Sequence, residues 1–255
     1  MLDAFTPNRS LDRQGRNTVL GVWVVVFALV WLDHPSVFLP TPAETWTALT
    51  DMWLYRNLAS AIFASVQLNI EAIAIATVIS LTLAYAGTIA FFRPIVVLAG
   101  ALRFLSFAGL GFAFTLMTST GHALKVSVLV FMVVVFFVVS MLDVVDQIPQ
   151  EKYDLAKTLR MGPWETLFEV VIFGQLDQAF IVLRQTAAMS WMFIATAEGL
   201  SMSGGGIGTL LNTSNKSLAR LPDVLALQLL VLVLGLGQDR LIGWLREQCC
   251  PWVKK

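Results

Sequence analysis

Apolar residues in this chain run in long blocks, not in the short alternations of a soluble fold. A helix needs roughly 20 mainly apolar residues to cross a bilayer, and six blocks meet or approach that length: about residues 18–32, 64–92, 94–117, 122–142, 176–198 and 222–245. The first is short and must be extended by its flanks. Charge is gathered instead in residues 149–173, PQEKYDLAKTLRMGPWETLFEVVIF. That stretch predicts a helix from Glu151 to Arg160, a turn at Met161-Gly162-Pro163, and a second, amphipathic helix from Trp164 toward Val171. Gly162 and Pro163 supply the break, and Pro163 suits the first turn of the new helix. Between the first two blocks Pro40 and Pro42 enforce extended backbone, and Thr41 is placed to cap a short surface helix with Glu44.

Composition moves this pattern from possible spans to an integral membrane protein. Hydrophobic residues make up 57% of the chain and charged residues 13%, against about 25% charged in an average soluble domain. The expected fold class is therefore all-α and polytopic, with about six transmembrane helices. Seventeen basic and seventeen acidic side chains cancel, which gives no argument for a nucleic-acid partner. Cys249 and Cys250 are adjacent, so they suit neither a long-range disulfide nor a metal site, and reversible acylation is the outside alternative. Arg9, Arg13 and Arg16 precede the first apolar block as in a signal peptide, but no small-residue cleavage site follows Trp31, so an uncleaved first span is expected.

Basic residues set the orientation, because Lys and Arg are retained on the cytoplasmic side. With the N-terminus inside, that side holds Arg9, Arg13, Arg16, Arg93, Arg103, Lys152, Lys157, Arg160, Arg240, Arg246, Lys254 and Lys255, and the outside only Arg56, Lys216 and Arg220. Both termini and residues 149–173 are thus expected in the cytoplasm.

No phosphate loop, H-E-x-x-H or G-x-S-x-G pattern occurs, and His34 and His122 are too few and too distant for a metal. The acidic residues Asp143, Asp146, Glu151 and Asp154 cluster without the glycine pattern of a phosphotransferase. Ionisable residues at membrane depth are costly, and each is a candidate site. Glu71 shares a helix face with Gln67 and serves helix packing, a headgroup contact or a solute route. Arg184 can pair with Glu71, meet a substrate anion, or snorkel to the headgroups. Glu198 adjoins the glycine run from Gly204 to Gly208, whose amides it can accept from. In the third block Gly100, Gly109 and Gly111 permit close packing. Ser106, Thr115, Thr118 and Ser119 can line a weakly polar route there, and Phe104, Phe107, Phe112 and Phe114 can gate it or simply face lipid. Candidate route residues are Ser106, Thr115, Thr118, His122, Arg184 and Glu198.

The segment Asp154 to Trp164, D-L-A-K-T-L-R-M-G-P-W, resembles the EAA loop of binding-protein-dependent ABC importer permeases. Asp154 stands for the Glu of that motif, Leu155 and Ala156 for its two Ala, and Arg160 falls where Gly is usual. Thr158, Leu159 and Trp164 fit the variant found among permeases of the nitrate, sulfonate, taurine and bicarbonate group, and Phe173 replaces a closing Pro. Leu39 to Glu44 is similar to the L-P-S-P-x-E signature of that group. Residues 120–126, T-G-H-A-L-K-V, resemble its G-x-G-E-A-S-K-I stretch, with His122 where Glu is common. Ala197-Glu198-Gly199-Leu200 with Ser203 to Gly208, Asp239-Arg240-Leu241 and Pro251-Trp252 fit later motifs, so the resemblance runs from about residue 38 to the end.

The resemblance implies a type I importer fold divided into residues 1–57 (N-terminal segment, first span and external Pro-rich loop) and a permease domain, 58–255. It implies a transport subunit of the inner membrane, not an enzyme, forming a homodimer with two ABC ATPase subunits and an external, periplasmic or extracellular, substrate-binding protein. No cofactor is expected on this chain, since ATP and Mg would be bound by the ATPases. Coupling to them would fall to Asp154, Leu155, Ala156, Lys157, Thr158, Leu159, Arg160, Gly162 and Trp164. The competing classes are an ATP-independent channel or secondary transporter, although no internal repeat is visible, and a membrane-embedded enzyme.

Overall fold

A computed structural model of the chain describes residues 12–33, 40–201, 204–214 and 220–253. Arg9, His34, Leu39, Ser203, Lys216, Lys254, Lys255 and the side chains of Arg13 and Phe107 lie outside the described residues. The regular elements among those described are all helical: α1 (Arg13–Asp33), α2 (Pro42–Tyr55), α3 (Leu58–Ala86), α4 (Arg93–Ala101), α5 (Phe107–Met117), α6 (Gly121–Asp146), α7 (Gln150–Thr158), α8 (Pro163–Thr166), α9 (Leu176–Leu200), α10 (Ile207–Ser214) and α11 (Leu221–Cys249). Blocks 18–32, 122–142, 176–198 and 222–245 each lie within a single helix, whereas 64–92 runs past the end of α3 at Ala86. Among the described residues four stretches, Leu58–Ala86, Gly121–Asp146, Pro163–Leu200 and Leu221–Cys249, are long and apolar enough to cross a membrane, and a fifth if the bent pair Arg93–Phe104 and Gly109–Met117 is one span, against about six expected. The protein is an all-α polytopic membrane protein.

α3, α6 and α9 form the centre. α3 buries Ser65, Asn69, Ala72, Ala76, Ser80 and Ala84 along one face, and side chains this small let neighbouring helices approach closely. Larger groups fill the spaces on either side. Leu68, Leu124, Val128, Leu129, Trp191 and Ile194 pack toward one end, and Phe137, Met141, Ala179 and Val182 toward the other. A residue as large as Leu at Ala76, which has no exposed surface, would overpack this contact by about 1–3 kcal/mol. α2 lies against α11, with Met52, Leu58, Ile207 and Leu227 in a shared cluster. Its start follows the sequence expectation: Thr41 Oγ1 accepts from Glu44 N–H at 3.3 Å, and Glu44 Oε2 accepts from Thr41 N–H at 2.9 Å.

Two expectations are corrected. Residues 94–117 are not one continuous span: α4 is followed by a 3-10 turn (Leu102–Phe104) and extended residues at Leu105 and Ser106, and the two helical arms are bent by 116°. Gly100 fits the start of this broken segment against α6, since a Cβ there would lie 2.9 Å from Val139 Cγ2. The second correction concerns residues 164–198. Helix α8 does not end before the next span. It continues through a π-helical stretch (Leu167–Ile172) and a 3-10 turn (Phe173–Gln175) into α9, giving 38 helical residues from Pro163 to Leu200. Phe173 explains the continuity, because its N–H donates to the carbonyls of Phe168 and Glu169. A proline there would have no N–H to give.

Chain direction defines two ends. Tyr85, Val145, Ile148 and Val171 cluster at the end carrying α7, whereas Ser65, Glu198 and Ile207 meet at the end carrying α10.

Candidate functional site

At the first of these ends, α7 is a short polar helix held between α6 and α8. Its sequence gives it a defined stop. Arg160 takes a left-handed φ of +56°, its N–H donates to Lys157 O at 2.9 Å, and Met161 N–H reaches back to Ala156 O at 3.0 Å. Such C-terminal turns favour glycine, which pays no Cβ penalty for positive φ. This is the position at which the resembled motif carries Gly. The next helix opens as the sequence predicts: Pro163 occupies its first turn, Glu165 Oε2 accepts from Gly162 N–H at 2.8 Å, and Thr166 N–H donates to Gly162 O at 2.9 Å.

The candidate coupling residues divide by exposure. Ala156 is 2% exposed, buried by the chain's own packing. Leu155, Leu159 and Trp164 are each about 60% exposed or more, an apolar surface unusual on so polar a helix pair. Lys157 Nζ donates to Asp154 Oδ1 at 3.0 Å, and Thr158 Oγ1–H donates to Asp154 O at 2.9 Å. The Lys157 ammonium holds the Asp154 carboxyl below its ordinary pKa, mainly through that hydrogen bond.

The opposite end is organised around one buried carboxylate. Glu198 is 1% exposed. Ser65 Oγ–H donates to its Oε1 at 2.6 Å, Gly208 N–H donates to its Oε2 at 2.5 Å, and Ile207 N–H donates to Ser65 Oγ at 2.8 Å. Lys125, also buried, donates from Nζ to Gly205 O at 3.0 Å. A carboxylate buried in this way is tolerated because charge-assisted bonds satisfy it. The glycines are required by shape. Gly204, Gly205 and Gly206 have φ of +80°, +67° and +125°, and a Cβ on Gly206 would fall on the Glu198 carboxylate. Glu198 therefore binds the glycine turn, as its position in the sequence suggested. Ser65 carried no sequence signal beyond being a small polar residue on the face of Asn69.

The other route candidates do not converge on this cluster. Arg184 pairs with Asp239 of α11 through one guanidinium edge, Nε–H donating to Oδ1 and Nη2–H to Oδ2, and Glu71 pairs with His122, Nε2 to Oε2 at 3.0 Å. Of the alternatives for Arg184, pairing with Glu71 is thus not the one found, since each has its partner on another helix. Ser106 is exposed at the bend between α4 and α5. Thr115 and Thr118 donate back to Gly111 O and Phe114 O of their own helix, each at 2.7 Å. Phe104 and Phe112 are exposed, and Phe114 packs edge-on against Phe131. Between α9, α10 and α11 lies a mainly apolar cavity of about 480 Å³, lined by Trp191, Ala195, Leu211, Leu227 and Gly235 among others. Among the described residues no group of three or more His, Cys, Asp or Glu side chains is placed to hold a metal.

Comparison with known proteins finds similarity over part of the chain. A bicarbonate transport system permease protein (CmpB) of Synechococcus elongatus is 33% identical over 104 residues, 40% of this chain and 37% of that protein. CmpB of a Synechocystis species is 30% identical over 108 residues, 42% of this chain and 38% of its own length. A putative ABC transporter permease protein of Methanocaldococcus jannaschii is 29% identical over 107 residues, 42% of this chain and 40% of its own. The matched stretches thus span about two fifths of these relatives. No protein-family model matches the chain.

Proposed function

We propose that this chain is the transmembrane subunit of an ATP-driven ABC importer for a small anion or organic solute. The observation that carries the reading is the α7–α8 element: a capped polar helix pair between spans that leaves Leu155, Leu159 and Trp164 uncovered. Such a surface suits a groove on an ATPase subunit. The names of the partial relatives support a permease and put bicarbonate among the candidate solutes. The chain would work as a homodimer with two ATPases, which bind ATP and Mg, and with an external binding protein. Residues 58–255 would form the permease domain, and residues 1–57 the N-terminal segment, first span and outer loop. The excess of Lys and Arg near α7 supports an inner-membrane orientation with both termini and α7 in the cytoplasm. Closure of the ATPases on ATP would displace α8, and the continuous helix from Pro163 to Leu200 would carry that movement to the Glu198 cluster.

The test is purification of the tagged chain from its native membrane. Co-purification of an ATPase whose hydrolysis is stimulated by solute is expected, together with labelling of Lys157→Cys only after the inner face is opened. Purification without an ATPase would favour an ATP-independent channel or secondary transporter, and labelling of position 157 from outside would reverse the orientation.

A further inference from the structure

The mainly apolar cavity of about 480 Å³ between α9, α10 and α11 is a groove, not a sealed void. Its floor is buried, with Trp191, Ile194 and Leu227 at 7%, 1% and 0% exposure, whereas Met192, Leu232 and Leu236 stand exposed along its rim. The polar edge of Trp191 is already satisfied, its Nε1–H donating to Gln238 Oε1 at 2.7 Å. On α9 the groove follows Ala188, Met192 and Ala195, and on α11 Leu232, Gly235 and Asp239. Each row is spaced by three or four residues and so keeps to one helix face. Such walls give water too few partners, and left empty they forfeit dispersion contacts along their whole length.

One end of the groove is charged. Arg184, one turn before Ala188 on α9, spends Nε and Nη2 on Asp239 and leaves Nη1 uncommitted. Arg240, one turn after Leu236 on α11, is exposed. Two guanidiniums against one carboxylate leave this end net positive. Its depth follows from α11 itself. Asp223, which pairs with Arg56 at 2.7 Å, is the preceding charged residue of that helix. Asp223 and Asp239 stand about 24 Å apart along the axis, so two charged ends bracket an uncharged stretch close to the roughly 30 Å of bilayer hydrocarbon. From Asp239 the groove runs back to Gln228, about 16 Å, which is roughly the depth of one leaflet.

We propose that this groove holds one acyl chain of an anionic phospholipid from the leaflet on the α7 side, with the lipid phosphate at Arg184 and Arg240. The length and lining of the groove fit the chain. The net positive end fits the phosphate, and Arg184 Nη1 supplies a charge-assisted donor that Asp239 does not use. A chain seated there touches α9 and α11 at once, so it wedges the helix that continues from α8 against its neighbour and sets their spacing. The proposal needs only that α9 and α11 span the membrane, and it does not rest on the transporter reading.

The full chain is reconstituted in nanodiscs of phosphatidylcholine and phosphatidylglycerol in equal parts. In separate samples one or the other lipid carries a diazirine at the middle of an acyl chain. After irradiation, lipid adducts are located by mass spectrometry of proteolytic fragments. Adducts at Met192, Leu232 and Leu236 are expected several-fold more often than at Val78, an exposed apolar residue of α3. The yield from phosphatidylglycerol over that from phosphatidylcholine, normalised to the same ratio at Val78, is expected to be about five, the effect of one basic residue on an anionic lipid. Arg240→Gln should bring that ratio toward one. Ala188→Phe, which fills the groove from an exposed position, should remove the groove adducts and leave those at Val78. Groove adducts no more frequent than those at Val78 would overturn the bound lipid and give the groove to a second copy or to a solute. A ratio unmoved by Arg240→Gln would overturn the placing of the phosphate, and groove adducts that survive Ala188→Phe would overturn the seating of the chain.

Discussion

Replacing Gly206 by alanine adds one methyl group where the structure has no room for it, and two costs follow. A φ of +125° is one that residues with a Cβ rarely adopt, and holding alanine there costs about 1–3 kcal/mol. The new Cβ would also fall on the Glu198 carboxylate, displacing it from Ser65 Oγ and Gly208 N–H. Each of these two buried groups left unsatisfied adds about 1–3 kcal/mol, for a total of roughly 3–9 kcal/mol. Gly204 is the internal control: its φ is +80° but no atom lies within 4 Å of a Cβ there, so alanine should cost only the left-handed penalty, about 1–2 kcal/mol. Hydrogen exchange of the Gly208 amide in nanodiscs reads the difference directly. Gly206→Ala should lower its protection at least about 30-fold more than Gly204→Ala, the equivalent of about 2 kcal/mol. Equal effects from the two substitutions, or an unchanged Gly208 amide, would refute the account of Glu198 as the anchor of this turn.

Arg160→Gly should relieve the left-handed strain after α7 and slow amide exchange in that helix by an amount corresponding to about 1 kcal/mol; faster exchange would show that the Arg side chain contributes more than its backbone costs. Ala156→Glu should destabilise the isolated chain by several kcal/mol, because Ala156 is buried within it and the new carboxylate would have no partner. Leu155→Glu and Leu159→Glu, at exposed positions, should leave the thermal midpoint within a degree or two yet lower ATPase co-purification; a normal yield of complex would remove these leucines from the interface. Asp154 has a depressed pKa, so its pairing with Lys157 stabilises α7 above the ordinary carboxylate range and is lost as pH falls through the lowered value. Lys157→Ala should move the Asp154 titration upward in carbon-13 spectra, and an unmoved titration would show that Lys157 is not the cause.

The sequence made some of this structure readable and hid the rest for identifiable reasons. The Thr41–Glu44 cap and the Pro163 start were legible because capping is local, decided by residues three positions apart. The break after α4 was not, because residues 94–117 are apolar apart from Arg103, Ser106 and Thr115 and hold no proline after Pro94, while both arms of the bend pack against α6, a contact between segments that local sequence does not report. Arg184 with Asp239, and Ser65 with Glu198, are pairs far apart in the chain, and no periodicity reports which distant helix a polar side chain will meet. The mismatches to the resembled motif proved the more informative letters. Arg160 marked a backbone that needs positive φ, and Phe173 marked a helix that does not stop.

The π-helical stretch Leu167–Ile172 sets an angular phase. A wider turn accommodates one residue more than an α-helical turn, and each residue is worth about 100° of rotation. The faces of α8 and α9 are therefore offset around their common axis by about that angle. Deleting one residue within 167–172 would let the stretch close as ordinary α-helix while turning Trp164 to a different bearing. The direction in which the α7 end points relative to α9 is thus set within this stretch, together with the packing of Val171 against Val145 and Ile148.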